Sequence, residues 1–201
     1  MSHYFWAEFL ELGNDTFRFD TRIYLHPIKR IKNGDHCIGA VVGKNPGSAK
    51  STAVGTGIKA IELDGDKLLP TVRNIIIKAY NESGIHIPER GYVQVLNLFY
   101  LCNPNLDKAI SEVENNTNAK NDPAENLSFP WVWYVWGSKS EILNAYKGRF
   151  SSLKSNNHFY YDKELSKVVS KPATERSFAK HTQGLKHALV VPYISGVIEN
   201  V

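Results

Sequence analysis

The segment Gly43-Lys44-Asn45-Pro46-Gly47-Ser48-Ala49-Lys50-Ser51-Thr52 is the densest run of residues able to do chemistry. It follows residues 37–42, a nearly continuous apolar stretch, so two glycines and a proline make a tight loop at the end of a buried strand. Backbone N–H groups in such a loop can face an anion. Nucleotide phosphate binding would need G-x-x-x-x-G-K-[ST], and Ala49 stands where the second glycine must precede Lys50-Ser51. An acid to hold magnesium is missing as well: residues 92–98 lead past Asn97, and residues 131–135 lead into Trp136-Gly137. A turn without chemistry is the plainer alternative for Asn45-Pro46-Gly47.

The loop has companions in a fixed order. Gly43-Lys44-Asn45-Pro46-Gly47, then Gly55-Thr56-Gly57, resembles the first motif of the uracil-DNA glycosylase superfamily. Pro70-Thr71-Val72-Arg73-Asn74-Ile75 is similar to a helix start of that superfamily. Val95-Leu96-Asn97-Leu98 resembles the strand whose Asn reads the extruded base, and Val135-Trp136-Gly137-Ser138 a Trp-Gly turn after the next strand. Asn97-Leu98-Phe99 with Trp136-Gly137 also looks like the bacterial family called domain of unknown function 1643. The resemblance spans residues 37–189.

Cleavage of an N-glycosidic bond leaves positive charge on the sugar and negative charge on the departing base. It needs a held water, donors on the base, and a way to keep the base out of the stack. The resemblance implies that Asn45 positions the water through its side-chain carbonyl, since an amide is too weak a base to deprotonate it. Asn97, with a donor and an acceptor, would read the base edge. Gly43, Pro46, Gly47, Ser48, Gly57 and Phe99 would line the pocket, and Lys44, Lys50, Lys180 and Lys186 would hold DNA. The family's His-Pro-Ser is absent; His181 and His187 are the two candidates to assist departure of the base. No aromatic follows Gly57 in Ile58-Lys59-Ala60, which implies either a widened pocket for a bulky modified base or a shifted correspondence.

These residues need a frame. Alternating segments at 4–12 and 17–25, split by Gly13-Asn14-Asp15, read as a hairpin or a pair of edge strands added at residues 1–31. Continuous apolar runs at 37–42, 92–98 and 131–135 read as strands buried on both faces, with 159–161 and 188–191 as later strands. Helices are expected over 67–83, where Pro70 starts and Gly84 stops the periodic run, and over 106–113 and 138–146. Residues 115–126 read as a loop. In 131–136, alternation sends Trp131 and Trp133 to one sheet face and Tyr134 and Trp136 to the other. The alternation of strands and helices predicts one α/β domain over residues 1–201, a three-layer α/β/α sandwich with a mainly parallel sheet and a core at 37–189.

Composition bounds the rest. The 201 residues are 42% apolar and 22% charged, enough for one sizeable core. Two cysteines, Cys37 and Cys102, make no disulfide framework, and the start of the chain carries no secretion signal, so a cytoplasmic protein is expected. No membrane span is readable. The net charge of +4 permits nucleic acid without requiring it. Residues 147–186 hold nine Lys or Arg against three acids, a stretch that could meet phosphates. The reading is a monomeric, monofunctional DNA glycosylase that needs no metal or cofactor and serves repair or antiviral defence. A non-catalytic nucleic-acid or nucleotide-binding module and a P-loop-like phosphotransferase are the alternatives.

Overall fold

The computed structural model describes residues 1–47, 50–51, 56–103, 105–115 and 121–201. Its strands are β1 (His3–Leu12), β2 (Asp15–Ile28), β3 (His36–Gly43), β4 (Lys50–Ser51), β5 (Ile58–Glu62), β6 (Gly91–Asn97), β7 (Ser128–Phe129), β8 (Val132–Tyr134), β9 (Lys154–Ser155), β10 (His158–Asp162) and β11 (Lys167–Val169). The helices are α1 (Leu68–Ser83), α2 (Leu106–Asn115), α3 (Asn144–Lys147) and α4 (Val191–Glu199).

Nine strands form one sheet in the order β11-β10-β8-β3-β6-β2-β1-β5-β4. Five of its eight ladders are antiparallel and three parallel, the parallel ones joining β10, β8, β3 and β6 at the centre. The expected mainly parallel three-layer sandwich is therefore wrong: this is a mixed, largely antiparallel sheet with few helices. The reason lies in the connections. Parallel neighbours need crossovers of a dozen residues or more, whereas β1 and β2 are joined by the two residues Gly13-Asn14 and can only pair antiparallel. The sheet also gains β4, β5 and β11, which the apolar runs do not announce.

Two apolar clusters cover the two faces. On one face α1 and α4 pack over Val41, Val93, Val95, Trp131, Trp133 and Phe159. On the other, α2 and irregular segments pack over Ala40, Val42, Leu96, Leu98, Tyr134 and Trp136. The four aromatics of 131–136 divide between the faces as alternation requires. Gly39 makes the first cluster possible: a Cβ there would lie 2.1 Å from the Trp131 ring.

Two elements differ from expectation. Residues 188–191 are not a strand. His187–Leu189 is a 3-10 turn, and Val191, Ile194, Ser195 and Ile198 line the buried side of α4 at helical spacing, with Pro192 in its first turn. A short apolar run ending in two valines reads as a strand when the helical period that follows it is ignored. Residues 138–146 form only a 3-10 turn at Glu141–Leu143 and the single turn of α3.

β2 shifts its register against β1 between His3 and Phe5 and again between Trp6 and Glu8. Trp6 pairs with Arg22 and Glu8 with Phe19, so Asp20 and Thr21 together oppose Ala7. Asp20 takes a positive φ of 41°, the mark of a β-bulge. Before the bulge, Phe17 and Phe19 face the α2 side; after it, Ile23 and Leu25 face α1. Buried Asp122 secures the bulge by accepting the Asp20 N–H at 2.7 Å, and burial pushes its carboxyl up to about 6.

Candidate functional site

The carboxyl ends of the central parallel strands bring the predicted residues partly together. β3 ends at Gly43 directly opposite Asn97, the last residue of β6. A Cβ on Gly43 would lie 3.0 Å from Asn97 Oδ1 and 3.2 Å from Leu68 Cδ2, so this glycine is what lets the amide approach β3. Asn97 is 0% exposed, and neither Oδ1 nor Nδ2 has a hydrogen-bond partner among the described residues. A buried amide with both ends unmet loses a few kcal/mol of solvation, a loss that folded proteins rarely leave unrecovered without a functional reason.

The backbone under Asn97 is clamped from the other face. Arg149 donates through Nη2 to the carbonyls of Asn97 at 3.2 Å and Leu98 at 2.7 Å, and pairs with Glu125 through Nε at 2.9 Å. Tyr100 completes the clamp, its hydroxyl donating to Glu125 at 2.6 Å.

His181 arrives by a different route. Residues 177–181 dock on the Trp136-Gly137 turn: Trp136 Nε1 donates to Ser177 O at 3.2 Å and Gly137 N to Ala179 O at 2.7 Å. His181 lies against Gly137 so closely that a Cβ on the glycine would come within 2.6 Å of the His181 Cβ. The Gln183 N–H donates to His181 Nδ1 at 3.1 Å. In the neutral ring this leaves the proton on Nε2, making that nitrogen a donor. Burial, the nearby Lys44 cation and a weaker opposing effect of Asp66 together hold the His181 pKa below the usual histidine value. That shift favours the neutral ring. Lys44 is itself half-buried, and desolvation lowers its pKa.

Two charged residues that the sequence did not single out join the cluster. Asp66 Oδ1 accepts the N–H groups of Leu68 at 2.8 Å and Leu69 at 3.4 Å, satisfying the start of α1. Its Oδ2 lies 3.6 Å from Nη1 of Arg18, which is 1% exposed. An Asp just ahead of Leu68-Leu69-Pro70 was a readable cap signal; Arg18, set between two phenylalanines, carried none because the bulge after it is invisible in the sequence.

The remaining candidates divide. Asn45 is half-buried and its Nδ2 donates to Asn103 O at 2.7 Å, fixing the orientation of the amide two residues beyond Gly43. Pro46 is buried, and Gly47 turns with φ of 70°. Ser48 lies outside the described residues, as does Gly55. Gly57 is exposed with φ of 82°, ahead of β5, whose Ile58 packs beside Trp6 and Tyr92. Phe99 belongs to the α2-side core, edge-on to Tyr146.

His187 is not brought to Asn97. Its Nδ1 is 3.1 Å from Lys78 Nζ; Lys78 lies ten residues, about 15 Å, along α1 from Leu68.

The basic stretch is not one surface. Lys147 is buried and donates to Glu175 O at 3.1 Å, and Arg149 serves the clamp. Lys180 is half-buried beside β10, its N–H on Tyr161 O, and Lys186 is exposed. Lys50 is exposed and 3.5 Å from Asp64.

Among the described residues, no three His, Cys, Asp or Glu group as a metal centre would need, and no helix is long and apolar enough to cross a membrane. No protein-family model, curated protein or solved structure matches the chain.

Proposed function

We propose that this protein is a monofunctional DNA glycosylase that hydrolyses the bond between deoxyribose and a flipped, modified base. The observation that carries the reading is Asn97, a fully buried amide at the carboxyl end of a central strand, with both ends unpartnered among the described residues. Such a group is equipped for a base edge that offers one acceptor and one donor. His181 supplies the second requirement: a neutral imidazole with Nε2–H as donor can meet a carbonyl of the base as negative charge gathers there. Lys44 adds positive charge beside it.

In this reaction Asn45 orients a water, whose oxygen bonds to the sugar C1′ as the bond from C1′ to the base nitrogen breaks. The electron pair leaves with the base, and the water's spare proton passes to solvent. A donor aimed at developing charge in a dry site contributes on the order of 10²–10³ in rate. Positioning the water contributes through orientation.

The test is incubation of the protein with DNA of defined base content, followed by detection of alkali-labile sites. Abasic sites from the wild type, and at least a hundredfold fewer from folded Asn97→Ala, are expected. DNA that is bound but never cleaved at the glycosidic bond, by wild type or mutant, would favour a non-catalytic module instead. Magnesium-dependent nucleotide binding would favour the phosphotransferase.

A further inference from the structure

The other end of the sheet carries a basic groove. Residues 26–32, His-Pro-Ile-Lys-Arg-Ile-Lys, hold three cations, and no acid stands between Asp20 and Asp35. β2 pairs Tyr24 with Tyr92, so its last residues, up to Ile28, run past Gly91, the first residue of β6. There they and the segment ahead of β6 line an open cavity of about 680 Å³. Asn97 lies at the far end of β6, roughly 20 Å away at the rise of a strand. The groove is therefore separate from the site at the carboxyl ends.

Its lining holds four cations, Lys29, Arg30, Lys32 and Arg90, and two imidazoles, His26 and His86, against one acid, Glu89. Lys29, Arg30 and Lys32 are exposed and enter no ion pair among the described residues. A buried carboxylate holds the wall in shape. Asp35, whose side chain is 1% exposed, accepts the Tyr24 hydroxyl at 2.7 Å and the Lys32 N–H at 3.0 Å, and pairs with Arg90 Nε. Arg90 Nη2 in turn donates to Arg30 O at 2.9 Å. Asp35 thus ties the turn after β2 both to Tyr24 and to Arg90. Among the described residues these bonds use two of the five N–H groups of the Arg90 guanidinium, whose plane they fix.

We infer that this groove binds a small polyphosphate, a compact ligand with two or more linked phosphate groups. Arginine meets phosphate oxygens in pairs and lysine meets them as a point charge, and the groove offers two of each. Asp35 offsets Arg90 and Glu89 one more cation, so two positive charges remain before either histidine is protonated. The cavity lies within the roughly 300–1,000 Å³ of small-ligand sites, of which a lone phosphate fills little. A nucleic-acid strand is the other source of linked phosphates. Grooves for single strands present aromatic side chains on which bases stack, and no Phe, Tyr or Trp lines this one among the described residues. The site stands whether or not the glycosylase reading holds.

Calorimetric titration of the full chain at physiological ionic strength tests this, with inorganic tripolyphosphate, inorganic phosphate, and a single-stranded and a duplex oligonucleotide as probes. Tripolyphosphate should bind at least tenfold tighter than phosphate. Lys29→Glu/Lys32→Glu should weaken it at least tenfold; both side chains are exposed, so the variant should fold. Lys167→Glu/Lys171→Glu makes the same change of net charge at exposed positions elsewhere and should stay within twofold of wild type. Tripolyphosphate that fails to bind the unaltered chain, or binds no tighter than phosphate, overturns the inference, a comparison that needs no variant. Equal losses in the two variants overturn it in favour of general attraction to a basic protein. An oligonucleotide bound more tightly than tripolyphosphate, and released by Lys29→Glu/Lys32→Glu, overturns it in favour of nucleic acid.

Discussion

Replacing Gly137 by Ala isolates the seating of His181. The added Cβ would lie 2.6 Å from the His181 Cβ, 3.3 Å from its N and 3.4 Å from its Cα. Ordinary contact begins near 3.4 Å, so the side chain must retreat by about 0.8 Å, with its own backbone blocking part of the way. Misplacing a catalytic group by about 1 Å costs on the order of 10² in rate. The backbone adds a separate penalty, because Gly137 has φ of 69°, where an L-residue costs about 1–2 kcal/mol. In a chain of this size that corresponds to a fall in Tm of roughly 2–8 °C. Gly84→Ala is the control: φ there is 70°, nothing lies within 4 Å of an added Cβ, and the residue ends α1. Thermal melts should show both variants destabilised by the left-handed backbone, Gly137→Ala the more because of its close contact, and single-turnover abasic-site formation reads the rate. Only Gly137→Ala should lose about a hundredfold in rate. A Gly137→Ala protein within threefold of wild type refutes the argument that this turn sets the position of His181.

Three more outcomes follow from the surroundings of the site. Lys44→Met removes a nearby cation, so the His181 pKa should rise toward the ordinary value in an NMR titration, with burial holding it below; an unchanged value would remove Lys44 from the site. Arg149→Ala leaves the carbonyls of Asn97 and Leu98 and the Glu125 carboxylate without their donor. It should cost about 3 kcal/mol in urea unfolding and reduce abasic-site formation more than stability alone explains. Asp122 has its folded pKa raised from 3.8 to about 6 by burial, so its contribution to stability is complete below pH 4 and is lost as pH rises through 6. Relative to Asp122→Asn, the wild type should therefore lose up to about 3 kcal/mol between pH 4 and 7, read from urea melts at each pH. Parallel pH profiles for the two proteins would contradict that assignment.

The central strands were legible because a strand covered on both faces leaves a continuous apolar run, as at 37–42, 92–98 and 131–135. The first long helix was legible from its period and from Pro70 and Gly84; the observed bounds are Leu68–Ser83. What escaped depends on partners distant in sequence. β5 is a short strand that acquires its meaning from β1, fifty residues earlier. The mixed character of the sheet follows from where β2 inserts, beside β6, which no local pattern encodes. Asn97 and Gly43 could be named from motifs, and His181 only as one of two, because Gly137 and Lys44 meet it through tertiary packing. Arg18 required the bulge, a one-residue shift of register that composition does not betray.

The insertion of β2 between β1 and β6 also orders events during synthesis. The hairpin of residues 3–28 is complete long before residues 91–97, its neighbour on the other side, leave the ribosome. Through that interval one edge of β2 is an open row of backbone donors and acceptors, the kind of edge that recruits strands from other chains. Arg18, Asp20 and Arg22 lie along it, and the bulge twists it out of flat register. Charge and irregularity are the usual guards of an exposed edge. The charges along that edge thus keep the waiting hairpin from pairing with another copy of itself.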